Sequence, residues 1–121
     1  MSNNLQSRLI RFAGYSISIK NYINHSYEGE HLSKQLIRSA TSAALNFGEA
    51  QSAESKRDFI HKQSIILKEL RESYINLMII DQNHLCKKRE LISKVIDETN
   101  QLISIFVTSI QTTKKNANPI N

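Results

Sequence analysis

The chain has 121 residues, 40% of them hydrophobic, with three glycines, one proline and no tryptophan. That length buries roughly 65% of the unfolded surface in one core, and the composition excludes a turn-rich fold in favour of long helices. Sixteen Lys and Arg against eleven Asp and Glu give a net charge of +5, which admits an anionic partner such as nucleic acid without requiring one.

Leu5, Leu9, Phe12, Tyr15, Ile19 and Tyr22 recur at spacings of three and four and predict a first helix over about 4–23, capped by Asn3 or Asn4. The stretch NHSYEG ends it. A second helix from about Glu30 to Gln51 places Leu32, Leu36, Ala40, Ala43 and Phe47 on one face. After the joint SAES, Ser55 and Asp58 have the spacing of a capping box for a third helix that carries Phe59, Ile60, Ile66, Leu67, Leu70, Tyr74, Leu77 and Met78 to about Ile80. The loop DQNHLC leads to a fourth helix, about Lys88 to Thr112, whose buried face is Leu91, Ile92, Val95, Leu102, Phe106 and Ile110. Four such helices with short connections predict one all-α domain over residues 1–113, an antiparallel up-down-up-down four-helix bundle, followed by a flexible C-terminal tail over 114–121.

Several chemistries find no support. The lone Cys86 cannot close an internal disulfide and lacks zinc-type companions, so a reducing cytoplasm is the expected setting. The apolar run LISIFV is far shorter than the ~20 residues a bilayer span requires, and MSNNLQSRLIRFAGYS lacks a signal-peptide core; no membrane partner is expected. Glu28-x-x-His31 and Asp58-x-x-His61 have a metal-pair spacing, but antiparallel packing puts them at opposite ends of the bundle. His25, His84 and Cys86 fit no recognised site. With no nucleophile elbow, phosphate loop or triad order, no catalytic residue, metal or cofactor is assigned, and no enzyme is expected.

The second helix carries an unusual stretch, SATSAALNFG, with no charge over Ser39–Gly48. Its core face is ordinary, but Gln35, Ser39, Ser42, Asn46 and Glu49 form a polar stripe beside it. Thr41, Leu45 and Gly48 fall where a solvated helix normally places Lys or Glu. This predicts an oligomer contact along the helix, through Ser42, Leu45, Asn46 and Glu49. Antiparallel pairing with the third helix sets Lys34 against Glu72, Arg38 against Glu69 and Glu49 against Lys56 as cross-helix ion pairs.

The basic residues differ in what stability alone explains. Lys114 and Lys115 sit where a helix dipole favours them. Lys87, Lys88 and Arg89 crowd the opposite, N-terminal end of the fourth helix, where the dipole opposes them and only Glu90 offsets them. Lys56 and Arg57 likewise open the third helix, with Lys62 further along it, and helix alternation brings them to the end that also holds Arg8 and Arg11. These eight residues are the candidate nucleic-acid contacts. Most aromatic residues fall on core faces, so binding is expected to follow shape and charge.

Residues 27–73 also carry a family likeness. The run Gln-Leu-x-Arg-Ser at Gln35–Ser39, Asn46 with Glu49, Ser55 followed by Asp58 and Phe59, and Lys-Glu-Leu-x-Glu at Lys68–Glu72 resemble the four-helix bundle proteins encoded in intervening sequences of bacterial 23S ribosomal RNA genes. Ile75 and Asn76 stand where members often carry an aromatic pair, a departure that concerns the packing of helix three. The resemblance implies a ring, typically a homopentamer. A related branch, the accessory proteins of diversity-generating retroelements, uses a basic pentameric surface to bind nucleic acid and a reverse transcriptase. The expected function is therefore a non-enzymatic homo-oligomer that binds RNA or DNA through basic rims. The alternative is an adaptor ring that presents its surface to a protein partner.

Overall fold

The computed structural model describes residues 2–117, which form α1 (Ser2–Lys20), α2 (Tyr27–Ala50), α3 (Lys56–Gln82) and α4 (Arg89–Ala117). Helices adjacent in the chain pack side by side, and α1 closes the ring against α4. Arg8 meets Glu98 while Tyr15 meets Lys94, so α1 and α4 run antiparallel; Ser39 against Ser73 and Ser42 against Glu69 show the same for α2 and α3. The protein is an all-α bundle, and these pairings are compatible with up-down-up-down connectivity.

The apolar periodicity is the reason for the bundle. Leu9, Phe12 and Ile19 of α1 are fully buried against Leu36, Ala40 and Ala43 of α2, Ile66, Leu70 and Leu77 of α3, and Val95, Leu102 and Phe106 of α4. Each large side chain so placed contributes about 1.5–3 kcal/mol of transfer free energy. Phe47 and Phe106 meet edge to face with ring centroids 6.1 Å apart, a geometry favoured by their quadrupoles.

Helix ends depart from the expected positions for local reasons. The first helix stops at Lys20 rather than near residue 23, because Ile23 pairs with Cys86 in an isolated antiparallel bridge. The Asn24 N–H donates to the Leu85 carbonyl at 2.9 Å and the Lys87 N–H to the Tyr22 carbonyl at 2.7 Å. The second helix starts at Tyr27, earlier than Glu30. Ser26 caps it, its extended backbone leaving Oγ to accept from the Gly29 N–H at 3.0 Å, and Glu28 and Glu30 complement the dipole in the first turn.

At α3 the Ser55 hydroxyl accepts from the Asp58 N–H at 3.0 Å, while the Asp58 carboxylate reaches back to the Glu54 N–H at 3.2 Å. The box is reciprocal as expected, with its return bond one residue outside the cap. The helix ends in a Schellman motif. Leu85 N–H reaches the Ile80 carbonyl at 3.1 Å and His84 N–H the Asp81 carbonyl at 3.1 Å, with His84 at φ 54°. The fourth helix continues past Thr112 to Ala117, so Lys114–Ala117, placed in a tail by the sequence pattern, are helical. Residues 118–121 of that tail lie outside the described residues.

Candidate nucleic-acid interface

The α1–α2 and α3–α4 loops are stitched together by the Ile23–Cys86 bridge, and this fixes the start of α4. Lys87, Lys88 and Arg89 stand exposed there in succession, and none makes an ion pair within 4.0 Å among the described residues. The Lys88 ammonium lies 5.0 Å from the centre of the Tyr22 ring, a cation–π contact that holds one member of the cluster in place. Tyr22, expected in the core, is instead at the surface beneath this cluster.

The second basic group is less uniform. Lys56 and Arg57 are exposed at the start of α3, and Lys62 is held 3.5 Å from Asp58 one turn away. Arg8 does not join them as a free charge. Its Nε and Nη2 donate to the two Glu98 oxygens at 3.1 and 2.8 Å, and Nη2 also reaches Gln101 Oε1 at 3.2 Å. The Glu98 hydrogen bonds raise the Arg8 pKa further above its ordinary value, outweighing the opposing effect of burial. Arg11 lies with Arg8, Tyr15, Lys94, Asp97 and Glu98 along the cleft between α1 and α4. The bidentate pair spends the Arg8 charge inside the bundle wall, where sequence spacing alone could not see Glu98.

The polar stripe of α2 is turned largely toward α3. Ser39 is buried and shares a 2.7 Å hydrogen bond with Ser73; Ser42 donates to Glu69 Oε2 at 3.0 Å; Asn46 Nδ2 donates to the Ser42 carbonyl at 2.8 Å. Leu45 and Glu49 remain exposed. Of the expected ion pairs Arg38–Glu69 forms, at 3.5 Å, and Arg38 also reaches Glu72, at 2.7 Å, the residue expected opposite Lys34. Lys34 and Glu49 have no ion-pair partner among the described residues, because the Ser39–Ser73 register carries Lys34 past the level of Glu72.

One feature escaped the sequence pattern. The end of the bundle that holds Lys56 opens into a cavity of about 750 Å³ with Phe47, Phe59 and Gln63 in its lining. Periodicity marks Phe47 and Phe59 as core without showing that the core is open there, and it gives no sign that Gln63 is buried beside them. Among the described residues no group of three or more His, Cys, Asp or Glu side chains is arranged to hold a metal ion, and no helix is long and apolar enough to cross a membrane.

Comparison with known proteins places this geometry. The profile of the 23S rRNA-intervening sequence proteins matches residues 4–107. The crystal structure of a protein of unknown function from the S23 ribosomal protein family of Bacteroides thetaiotaomicron is similar, with 26% identity and a TM-score of 0.80 over 92% of this chain and 99% of that one. No curated protein matches.

Proposed function

The chain belongs to the 23S rRNA-intervening sequence protein family, and on that premise we propose that it is a non-enzymatic homopentameric bundle that binds nucleic acid, RNA above all, through basic rims. The observation that carries the reading is the exposed run Lys87–Arg89 at the N-terminal end of α4, without an ion-pair partner among the described residues. Three cations placed against a helix dipole and against each other lower stability, and an anion bound there reverses the sign of both effects. Ring symmetry multiplies such weak phosphate contacts into avidity without a deep site. Lys56 and Arg57 supply the second, opposite rim.

The test is fluorescence anisotropy of nuclease-treated protein with labelled structured RNA and duplex DNA over a range of salt. Replacing Lys87, Lys88 and Arg89 together by Gln is expected to weaken binding at least about tenfold at low salt and to flatten its salt dependence. Unchanged affinity and slope would remove this rim from the site. Absence of binding by the unaltered protein at the lowest salt would instead favour the adaptor ring that engages a protein.

A further inference from the structure

The cavity at the Lys56 end lies where the first turns of α1, the end of α2, the start of α3 and the C-terminal half of α4 fail to meet. At about 750 Å³ it is within the range of small-ligand sites. Leu5, Phe47, Phe59 and Ile105 supply apolar walls. Gln63 is the anomaly among the polar groups. It is 4% exposed, and its Oε1 is buried with no hydrogen-bond partner among the described residues. An unpaired buried carbonyl costs free energy that a well-packed apolar side chain would not, and since Gln63 lines the cavity, a turn of its amide toward that space lets a ligand supply the missing donor.

The remaining lining narrows the ligand class. Gln51, Ser104, Thr108 and Ser109 add amide and hydroxyl groups, and no carboxylate lines the cavity. Arg8 reaches its wall with its charge already matched by Glu98. The interior therefore suits an uncharged, flat group with both donors and acceptors on its edge. An acyl chain would leave the buried Gln63 carbonyl unanswered. Charge lies at the mouth: exposed Lys56 and Glu54 border an adjoining recess that shares Gln51 and Phe59 with the cavity, and Lys56 makes no ion pair among the described residues, which leaves its ammonium available to an anion. An aromatic wall, a carboxamide inside and a cation outside match a base, its hydrogen-bonding edge and its phosphate in unpaired RNA.

We infer that this cavity receives an unpaired nucleobase, with the ring against Phe59, an exocyclic amino group donating to Gln63 Oε1, and the attached phosphate at Lys56. The inference rests on the nucleic-acid reading above and adds a preference for single-stranded ends or bulges to it. A mononucleotide fills the same site, so the pocket is testable apart from the rims.

The full-length protein is titrated with each of the four nucleoside monophosphates, with inorganic phosphate and octanoate as controls, and the Gln63 side-chain amide is followed by NMR. Saturable shifts of that amide with at least one nucleotide, and none with phosphate, are expected. Gln63→Leu is expected to lower that affinity at least about tenfold while leaving the thermal midpoint unchanged or higher, since it removes the unpartnered carbonyl. Phe59→Leu, the second variant, is expected to weaken binding through loss of ring contact. No saturable shift up to about 10 mM nucleotide, a preference for octanoate, or unaltered affinity in both variants would overturn the inference. In the Lys87, Lys88, Arg89 triple variant the mononucleotide is expected to bind as before. RNA affinity that depends on the rim without any mononucleotide binding would sink the pocket alone, and the reverse pattern would sink the rim alone.

Discussion

Two backbone positions near the stitched loops show how single residues set the ends of helices. A Cβ on Gly29 would lie 2.5 Å from the Asn24 carbonyl oxygen, 2.7 Å from Ile23 Cγ2 and 3.0 Å from Ser26 Oγ. The first of these is backbone and cannot swing aside. Gly29→Ala is therefore expected to push the α1–α2 loop off its bridge and to cost about 1–3 kcal/mol in urea unfolding. His84 presents the opposite case, since it holds the left-handed position of the Schellman motif where glycine is usual. His84→Gly is expected to raise stability by about 0.5–1 kcal/mol in the same measurement, because the Cβ penalty at positive φ exceeds the entropy lost by glycine. Both residues are visible in the sequence; their reasons are not, because each depends on the backbone path of its adjoining turn, which residue identity alone does not fix.

At the scale of the helix, α2 divides its uncharged stretch between two tasks. Ser39 and Ser42 are satisfied by α3 and Asn46 by Ser42 of its own helix, and this accounts for polar residues beside the core face. Leu45 is different: it is 69% exposed, and Gly48 beside it has no atom within 4 Å of where a Cβ would lie. A helix-interior glycine that nothing in the subunit requires, next to an exposed leucine, suits close approach by another copy of the chain. Leu45→Glu is expected to reduce the native mass measured by light scattering to that of the 13.9 kDa chain without loss of helical circular dichroism. An oligomer that persists in this variant would take α2 out of the contact. A helical wheel identified both stripes correctly as sides of α2, but it could not say that α3 covers one of them. The same limit misplaced the expected partners of Lys34 and Glu49, though not the Arg38–Glu69 pair, since register is set by the Ser39–Ser73 contact and not by counting through the turn.

For the whole molecule, the proposed pentamer has an expected mass of about 70 kDa, five copies of a 13.9 kDa chain around a cyclic axis. Each rim then repeats one cluster: Lys87–Arg89 on one, Lys56 and Arg57 with the Phe59 cavity on the other. The two ends of α1 and α4 are not equivalent in charge, because the Arg8–Glu98 pair withdraws a cation from the Lys56 end into the wall. Salt dependence of RNA binding should consequently fall mainly when the Lys87 rim is neutralised, whereas any preference for unpaired nucleotides should follow Gln63 and Phe59. The family expected from Gln35–Ser39, Asn46 with Glu49, and Lys68–Glu72 is the family found. Asn76, one of the two residues at which the chain departs from that pattern, has a buried Oδ1 without a partner among the described residues, and Ile75 beside it is exposed.

By itself the sequence determined the four helices, the α3 cap at Ser55 and the apolar faces, because a 3.6-residue period and a capping hydroxyl are local physics: Leu9, Phe12, Leu36, Leu70 and Phe106 are buried where their spacing puts them, whereas Asn3 and Asn4, expected to cap α1, lie within it. Only the tertiary structure decided the Ile23–Cys86 bridge, the spending of Arg8 on Glu98, the turning of Ser39 and Ser42 toward α3, and the cavity beside Gln63. Each of these joins residues far apart in the chain. Their pairing depends on how helices of unequal length meet at their ends, a balance of packing and register that no window of neighbouring residues contains.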